Sequence, residues 1–253
     1  MIGEISQTLE RMEAAQDIVS TRGWAVVRIG IAGRDTAVAL LERIGADLGG
    51  LVPHTAHRPI ADVTTTEGFN DSERRPQSDN GPQFPHTDGV LSDELPAILV
   101  MACTGRAEEG GDSVLVDMRP FLAEHGPSGR LDPLFAPDAV AIIRGHMSKQ
   151  VSVLRRRGRY VDVAFSDHEY NSATPHDSSA AAFAALRTYA GSDVQQDRIL
   201  LADGDLLIVA NRYCLHGREG FRNGPGGTRH LVRAWYRGGV ARFGVFDGYV
   251  ADW

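Results

Sequence analysis

The most constraining feature of this chain is a set of five short apolar runs: Ala97–Cys103, Ser113–Val116, Ala139–Ile143, Leu206–Ala210 and His230–Tyr236. Each is bounded by Gly, Pro, Asp, Asn or charged residues, and each has the length of a strand rather than a helix. Such a pattern points to an antiparallel sandwich or barrel, mainly β with peripheral helices. Helical spacing is confined to three places. Residues 4–19 repeat Ile5, Leu9, Met12 and Val19; Asp35–Leu48 repeats Leu40, Leu41, Ile44 and Leu48. A third helix is expected over Ser178–Ala190, capped by Asp177 and stopped by Gly191, with Phe183, Leu186 and Tyr189 on one side. Trp24–Ile29 reads as a strand. No internal repeat or Pro-rich linker divides the chain, so one domain over 1–253 is expected, with the helices and strand of 1–50 packing on the β core.

Composition excludes several classes. With 42% hydrophobic and 23% charged residues the chain is an ordinary globular one, not disordered, collagenous or coiled coil. Cys103 and Cys214 have no nearby cysteine partner for a disulfide framework or a zinc site, and a reducing cytoplasm is the expected location. The longest apolar stretch, Leu95–Cys103, is too short to cross a bilayer, and the first residues lack the basic head and apolar core of a secretion signal. No membrane partner is expected. A net charge of −7 disfavours nucleic acid, and Arg155, Arg156, Arg157 and Arg159 read as a solvated hairpin tip. Of 26 basic residues only Lys149 is lysine. Genome composition explains most of that bias, but a few arginines in the right places would hold carboxylates in a planar, two-pronged way.

Three segments carry candidate chemistry. In Gln83-Phe-Pro-His-Thr-Asp-Gly89, extended backbone would turn His86 and Asp88 to the same side, where both could bind one ion. Downstream, the apolar strand Leu206–Ala210 leads through Asn211-Arg212 to His216 at a Gly-containing turn. Two histidines and one carboxylate on one face of a metal leave its other positions open, the arrangement of non-haem Fe(II) oxygenases. The third segment, Thr228–Arg237, would place Arg229, Leu231, Arg233 and Trp235 on one strand face. If that face lines a barrel, its guanidinium groups need anionic partners.

Together these segments resemble the taurine dioxygenase (TauD/TfdA-like) family of Fe(II)- and 2-oxoglutarate-dependent oxygenases, including its clavaminate synthase-like and carbapenem synthase-like members. The resemblance spans roughly Gln83 to Arg237 and includes Gly110-Gly-Asp-Ser113 between the outer motifs. It implies a double-stranded β-helix (jelly roll) with iron near one mouth, and Fe(II), 2-oxoglutarate and O2 as cofactor and co-substrates. It implies His86, Asp88 and His216 as iron ligands and as the catalytic centre. Arg229 would hold the distal carboxylate of 2-oxoglutarate, beside Ser113. Arg233 would contact an anionic group of the substrate, with Tyr170, Trp235 and His146 lining its pocket. Many relatives carry Arg-Tyr-Asn or Arg-Phe-Asn where this chain has Glu169-Tyr170-Asn171, so no relative's substrate is carried over.

The expected reaction is oxidation of an unactivated C–H, by default hydroxylation, coupled to conversion of 2-oxoglutarate to succinate. Asp88 fills the position that family halogenases leave open for chloride, which argues against halogenation. The expected substrate is a small anionic metabolite, an amino acid or derivative first, in natural-product biosynthesis. A nucleotide or phosphonate is the alternative, and a jelly-roll protein that binds metal and keto acid without turnover shares every motif. His54, His57, His125, His168 and His176 read as surface or locally hydrogen-bonded residues. Thr64–Pro85 reads as an irregular active-site loop, and Glu108–Gly111 as a hairpin turn.

Overall fold

The computed structural model describes residues 2–31, 33–53, 59–64 and 80–253. Each apolar run becomes a strand: Ile98–Gly105, Ser113–Asp117, Val140–Arg144, Asp205–Ala210 and His230–Tyr236. A five-stranded sheet has the order Trp24–Arg28, Asp205–Ala210, Ile98–Gly105, His230–Tyr236, Ile60–Thr64. A four-stranded sheet has the order Asp197–Ile199, Ser113–Asp117, Cys214–Arg218, Gln83–His86. Every pairing in both is antiparallel. The chain passes from one sheet to the other between Gly105 and Ser113, again between Ala210 and Cys214, and back before His230. That alternation makes a double-stranded β-helix.

The two faces of strand His230–Tyr236 explain the layering. Val232, Ala234 and Tyr236 stand opposite Ala102, Val100 and Ile98 on the neighbouring strand. All are buried in one apolar cluster with Met12, Val19, Leu40, Leu41, Ile44 and Leu48 of the N-terminal helices. The Tyr236 hydroxyl donates to the Leu41 carbonyl at 2.8 Å, satisfying the one polar atom that this aromatic brings inside. The alternate residues Arg229, Leu231, Arg233 and Trp235 face a cavity instead. Behind the four-stranded sheet, Val116 and Leu215 pack with Phe121, Leu122, Phe183 and Leu186 of helices Arg119–His125 and Ala180–Ala190.

Several expectations are corrected. The first helical stretch divides at Ala15 into Ile2–Ala14 and Gln16–Arg22, and the second closes at Arg43, with a 3-10 turn at Ala46–Leu48. The third helix starts at Ala180 with Ser179, not Asp177, at the cap position. The Ser179 hydroxyl donates to the carbonyls of Ala139 and His176, so it ties the helix to a neighbouring strand rather than to its own first turn. Glu108–Gly111 is not a self-contained hairpin. It lies on the crossing between sheets, where Glu109–Gly110 pairs with Phe221–Arg222 and Arg222 meets both Glu108 and Glu109. Regular strand begins at Gln83, two residues before the expected end of the loop; residues 65–79 of that loop, with His54 and His57, lie outside the described residues. His125 ends a helix rather than lying in a loop. The arginine cluster does sit on a hairpin, but Arg157 pairs with Asp162 and Arg156 stacks over Phe135. Among the described residues no helix is long and apolar enough to cross a membrane.

Candidate active site

His86 and His216 are directly opposite each other on adjacent antiparallel strands, which brings their rings to 4.6 Å between centroids. Asp88 follows two residues after His86. Its carboxylate lies 3.7 Å from His86 Nε2 and 3.4 Å from His216 Nε2. One ligand atom from each of the three lies within 4.8 Å of the others, and all three residues are buried. Among the described residues this is the one such group of His, Cys, Asp and Glu.

The surroundings prepare these side chains. His86 Nδ1 lies 3.0 Å from the Phe84 carbonyl, a bond that places the proton on Nδ1 and leaves Nε2 as an acceptor. Both ring nitrogens of His216 are buried without a hydrogen-bond partner, and Nε2, the one that faces Asp88, is an orphaned acceptor that a metal would satisfy. Burial pushes the His216 pKa down to about 4 against the opposing pull of Asp88, so the ring is neutral, as a metal ligand must be. Burial alone would raise the Asp88 pKa; the charge on Arg233 overcomes it and holds the carboxyl well below the usual range. Arg233 and Trp235 each donate to Asp88 Oδ2 at 2.8 Å.

Asn211 gains a role that its place in the sequence does not reveal. Its amide accepts from the Asp88 N–H at 2.9 Å and donates to the Asp88 and Pro96 carbonyls at 3.1 and 2.9 Å, with no exposed surface. The Thr87 hydroxyl accepts from the Phe165 N–H at 2.9 Å, so both sides of Asp88 are pinned. Gly89 then turns with φ 79°; a Cβ there would come within 2.4 Å of Pro96 Cδ.

A cavity of about 1290 Å3 contains all three metal-competent residues. Arg229, Ser113, Arg233, Trp235, Tyr170 and His146 line it too, so every sequence-predicted site residue borders one space. Arg229 is only 6% exposed and has no carboxylate partner among the described residues. Its stem lies over Gly111, where a Cβ would sit 3.1 Å from Cδ, and its guanidinium lies 5.3 Å from the Phe221 ring centre. Burial, then the Arg218 charge, lowers its pKa to about 10, which still leaves it a cation at neutral pH. Ser113 is buried opposite Arg218 in the ladder, whereas His146 is exposed in the turn after Arg144.

Among the cavity residues that sequence reasoning missed are Arg218, His168 and Arg144. Arg218 is two residues after His216 on one strand, so the period of two could have found it. His168, expected to be a surface or locally hydrogen-bonded residue, does accept from the Tyr170 N–H at 3.3 Å, but it also lines the cavity 4.9 Å from the His86 ring, and burial lowers its pKa to about 3. Arg144 ends a strand, and no local pattern marks it.

Known proteins share this family and fold. Residues 4–235 match the family described as "Taurine catabolism dioxygenase TauD, TfdA family". A uridine-5'-phosphate dioxygenase from Amycolatopsis sp. is 29% identical over 168 residues, which span 61% of this chain and 60% of that protein. Among solved structures, an asparagine oxygenase in complex with Fe(II), 2S,3S-3-hydroxyasparagine and succinate superposes with a TM-score of 0.73 at 18% identity, over 92% of this chain and 79% of that one. The non-haem iron oxygenase OrfP in complex with Fe and alpha-ketoglutaric acid gives 0.67 at 18% identity, over 89% and 80%.

Proposed function

The chain belongs to the TauD/TfdA dioxygenase family, and on that premise we propose that it is an Fe(II)- and 2-oxoglutarate-dependent oxygenase. The observation that carries this reading is the shared cavity: two histidines and a carboxylate at one place, and a buried arginine without a carboxylate partner among the described residues at another. His86, Asp88 and His216 would hold Fe(II), and their donor set suits that metal with positions left open. Bound iron supplies the oxidative chemistry with O2 and the keto acid.

The chain's own residues bind and orient. Arg229 accepts the distal carboxylate of 2-oxoglutarate in its guanidinium fork, and the Ser113 hydroxyl adds a hydrogen bond. Asn211 and Thr87 fix the backbone on either side of Asp88, so its carboxylate arrives in one orientation. Arg233 keeps Asp88 ionised and presents charge to an anionic substrate, while Tyr170, Trp235 and His146 line the substrate side. One oxygenase unit spans the chain, with the N-terminal helices packed on the first sheet, and it works in the cytoplasm.

The substrate is a small anionic metabolite whose unactivated C–H is oxidised, an amino acid or derivative in the first reading. The hydroxyasparagine bound to the similar asparagine oxygenase supports that choice. A nucleotide is the second reading, favoured by the name of the Amycolatopsis relative. The test is anaerobic addition of 2-oxoglutarate to the Fe(II) protein, followed by succinate release in air across amino acids and nucleotides. A visible charge-transfer band, lost in His86→Ala with Asp88→Ala, and substrate-stimulated succinate are expected. A wild-type protein without the band would sink the oxygenase reading; a band without succinate from any compound would leave a binding protein.

A further inference from the structure

Five arginines line the cavity: Arg34, Arg144, Arg218, Arg229 and Arg233. Arg34 pairs with Asp62 through two bonds of 2.7 and 2.8 Å, and Arg233 pairs with Asp88. Arg218 donates to the Gly81 carbonyl at 2.7 Å. Arg229 is taken by the co-substrate in the function proposed above. Arg144 remains. Its Nε donates to the Asn171 amide oxygen at 2.6 Å, and no carboxylate among the described residues pairs with its guanidinium. Asn171 is itself 3% exposed and donates to the Ser166 hydroxyl at 2.8 Å, so the contact that aims Arg144 is built rather than incidental.

Arg144 also lies close to the chemistry. It lines the same cavity as Asp88, Arg233 and His168, and the His168 ring packs 4.9 Å from that of His86. A guanidinium held by one edge to a neutral amide keeps its other donors for a planar or tetrahedral anion. Arg144 is exposed on the cavity that Arg233 also lines, and with no carboxylate partner among the described residues it adds positive charge there that an anionic ligand would offset.

We propose that Arg144 is a specificity-determining residue that binds a second acidic group, carboxylate or phosphate monoester, on a substrate whose first acidic group is held by Arg233. This rests on the oxygenase reading for the placement of Arg233 and Arg229, but its test does not require turnover.

Calorimetric binding to the anaerobic Fe(II) protein loaded with 2-oxoglutarate would compare L-aspartate with L-asparagine, and O-phospho-L-serine with L-serine. Each pair shares the α-carboxylate and differs at the remote end. At least one acidic member should bind about tenfold tighter than its neutral partner. The pair that shows this tells carboxylate from phosphate. Arg144→Gln should bring the ratio to within about twofold, and Arg144→Lys should keep part of it. Both variants should keep the wild-type melting temperature and affinity for 2-oxoglutarate, which separates a lost contact from a damaged fold. Equal affinities within both pairs, no binding by either acidic member, or a preference that survives Arg144→Gln would overturn the proposal. A preference that depends on Arg144 without succinate release in air would instead defeat the oxygenase reading and leave the anion site standing.

Discussion

The two ends of the cavity are built differently. At one end His86 and His216 face each other across a strand ladder, and Ser113 and Arg229 are buried at 2% and 6% exposure. At the other end Arg144 closes a strand, His146 sits in a turn, and His168 to Asn171 form a short bridged loop. His216 and Ser113 have a paired strand on each side, while His86 is held from one side by the ladder and Arg229, just before its strand, by the Asn223 side chain. The second depends on side-chain contacts such as Arg144 with Asn171. Ladder positions therefore suit chemistry that must hold its geometry, and turn positions suit recognition that differs from one relative to another.

Three substitutions would break or sharpen that contrast. The largest effect belongs to Arg229→Ala, which removes the charge at the ladder end. The KM for 2-oxoglutarate should rise about 100-fold, in line with losing a buried charge-assisted pair, with partial recovery in Arg229→Lys. A rise below about threefold, too small for a desolvated ion pair, would remove Arg229 from the keto-acid site.

Asn211→Ala should come next. It leaves the Asp88 N–H and two carbonyls buried without their partner, at a cost of about 2–4 kcal/mol in urea unfolding. Fe(II) affinity should fall about tenfold, as expected when the support of a ligand is removed. Unchanged stability would mean that the backbone around Asp88 holds itself.

His146→Ala should have the smallest effect. Unfolding free energy should move by no more than about 0.5 kcal/mol because the side chain is exposed, and the KM for 2-oxoglutarate should not change. Only substrate affinity should weaken. A stability loss above about 1.5 kcal/mol would contradict the view that the turn end is structurally free to vary.

Much of the ladder end was legible in the sequence. His86 with Asp88, and Arg229 with Arg233, are pairs whose spacing on extended backbone already places them on one side. The same rule reaches Arg218 from His216. The turn end was only partly legible: Tyr170 and His146 were expected at the pocket, but His168 read as a surface or locally hydrogen-bonded histidine because nothing local to it changes when the chain brings His86 against its ring. Asn211 stood out as part of a motif, but its contact with Asp88, 123 positions away, is invisible without the fold. The same holds for the third helix, where Ser179 stands at the cap position and its hydroxyl donates to the distant Ala139 carbonyl, just before a strand, as well as locally.

What the sequence determined by itself is the apolar strands of the core, the alternation of their faces and the residue types able to bind a metal and a dicarboxylate. These follow from the period of two and from side-chain chemistry, both properties of short segments. The tertiary structure alone decided which faces meet: that His86 stands opposite His216, that Asn211 clamps Asp88, and that Arg144 reaches the same cavity as Arg233. The physical reason is that register, crossing and burial are set by the packing of the whole chain, and a charged or polar side chain acquires its partner only when that packing is complete.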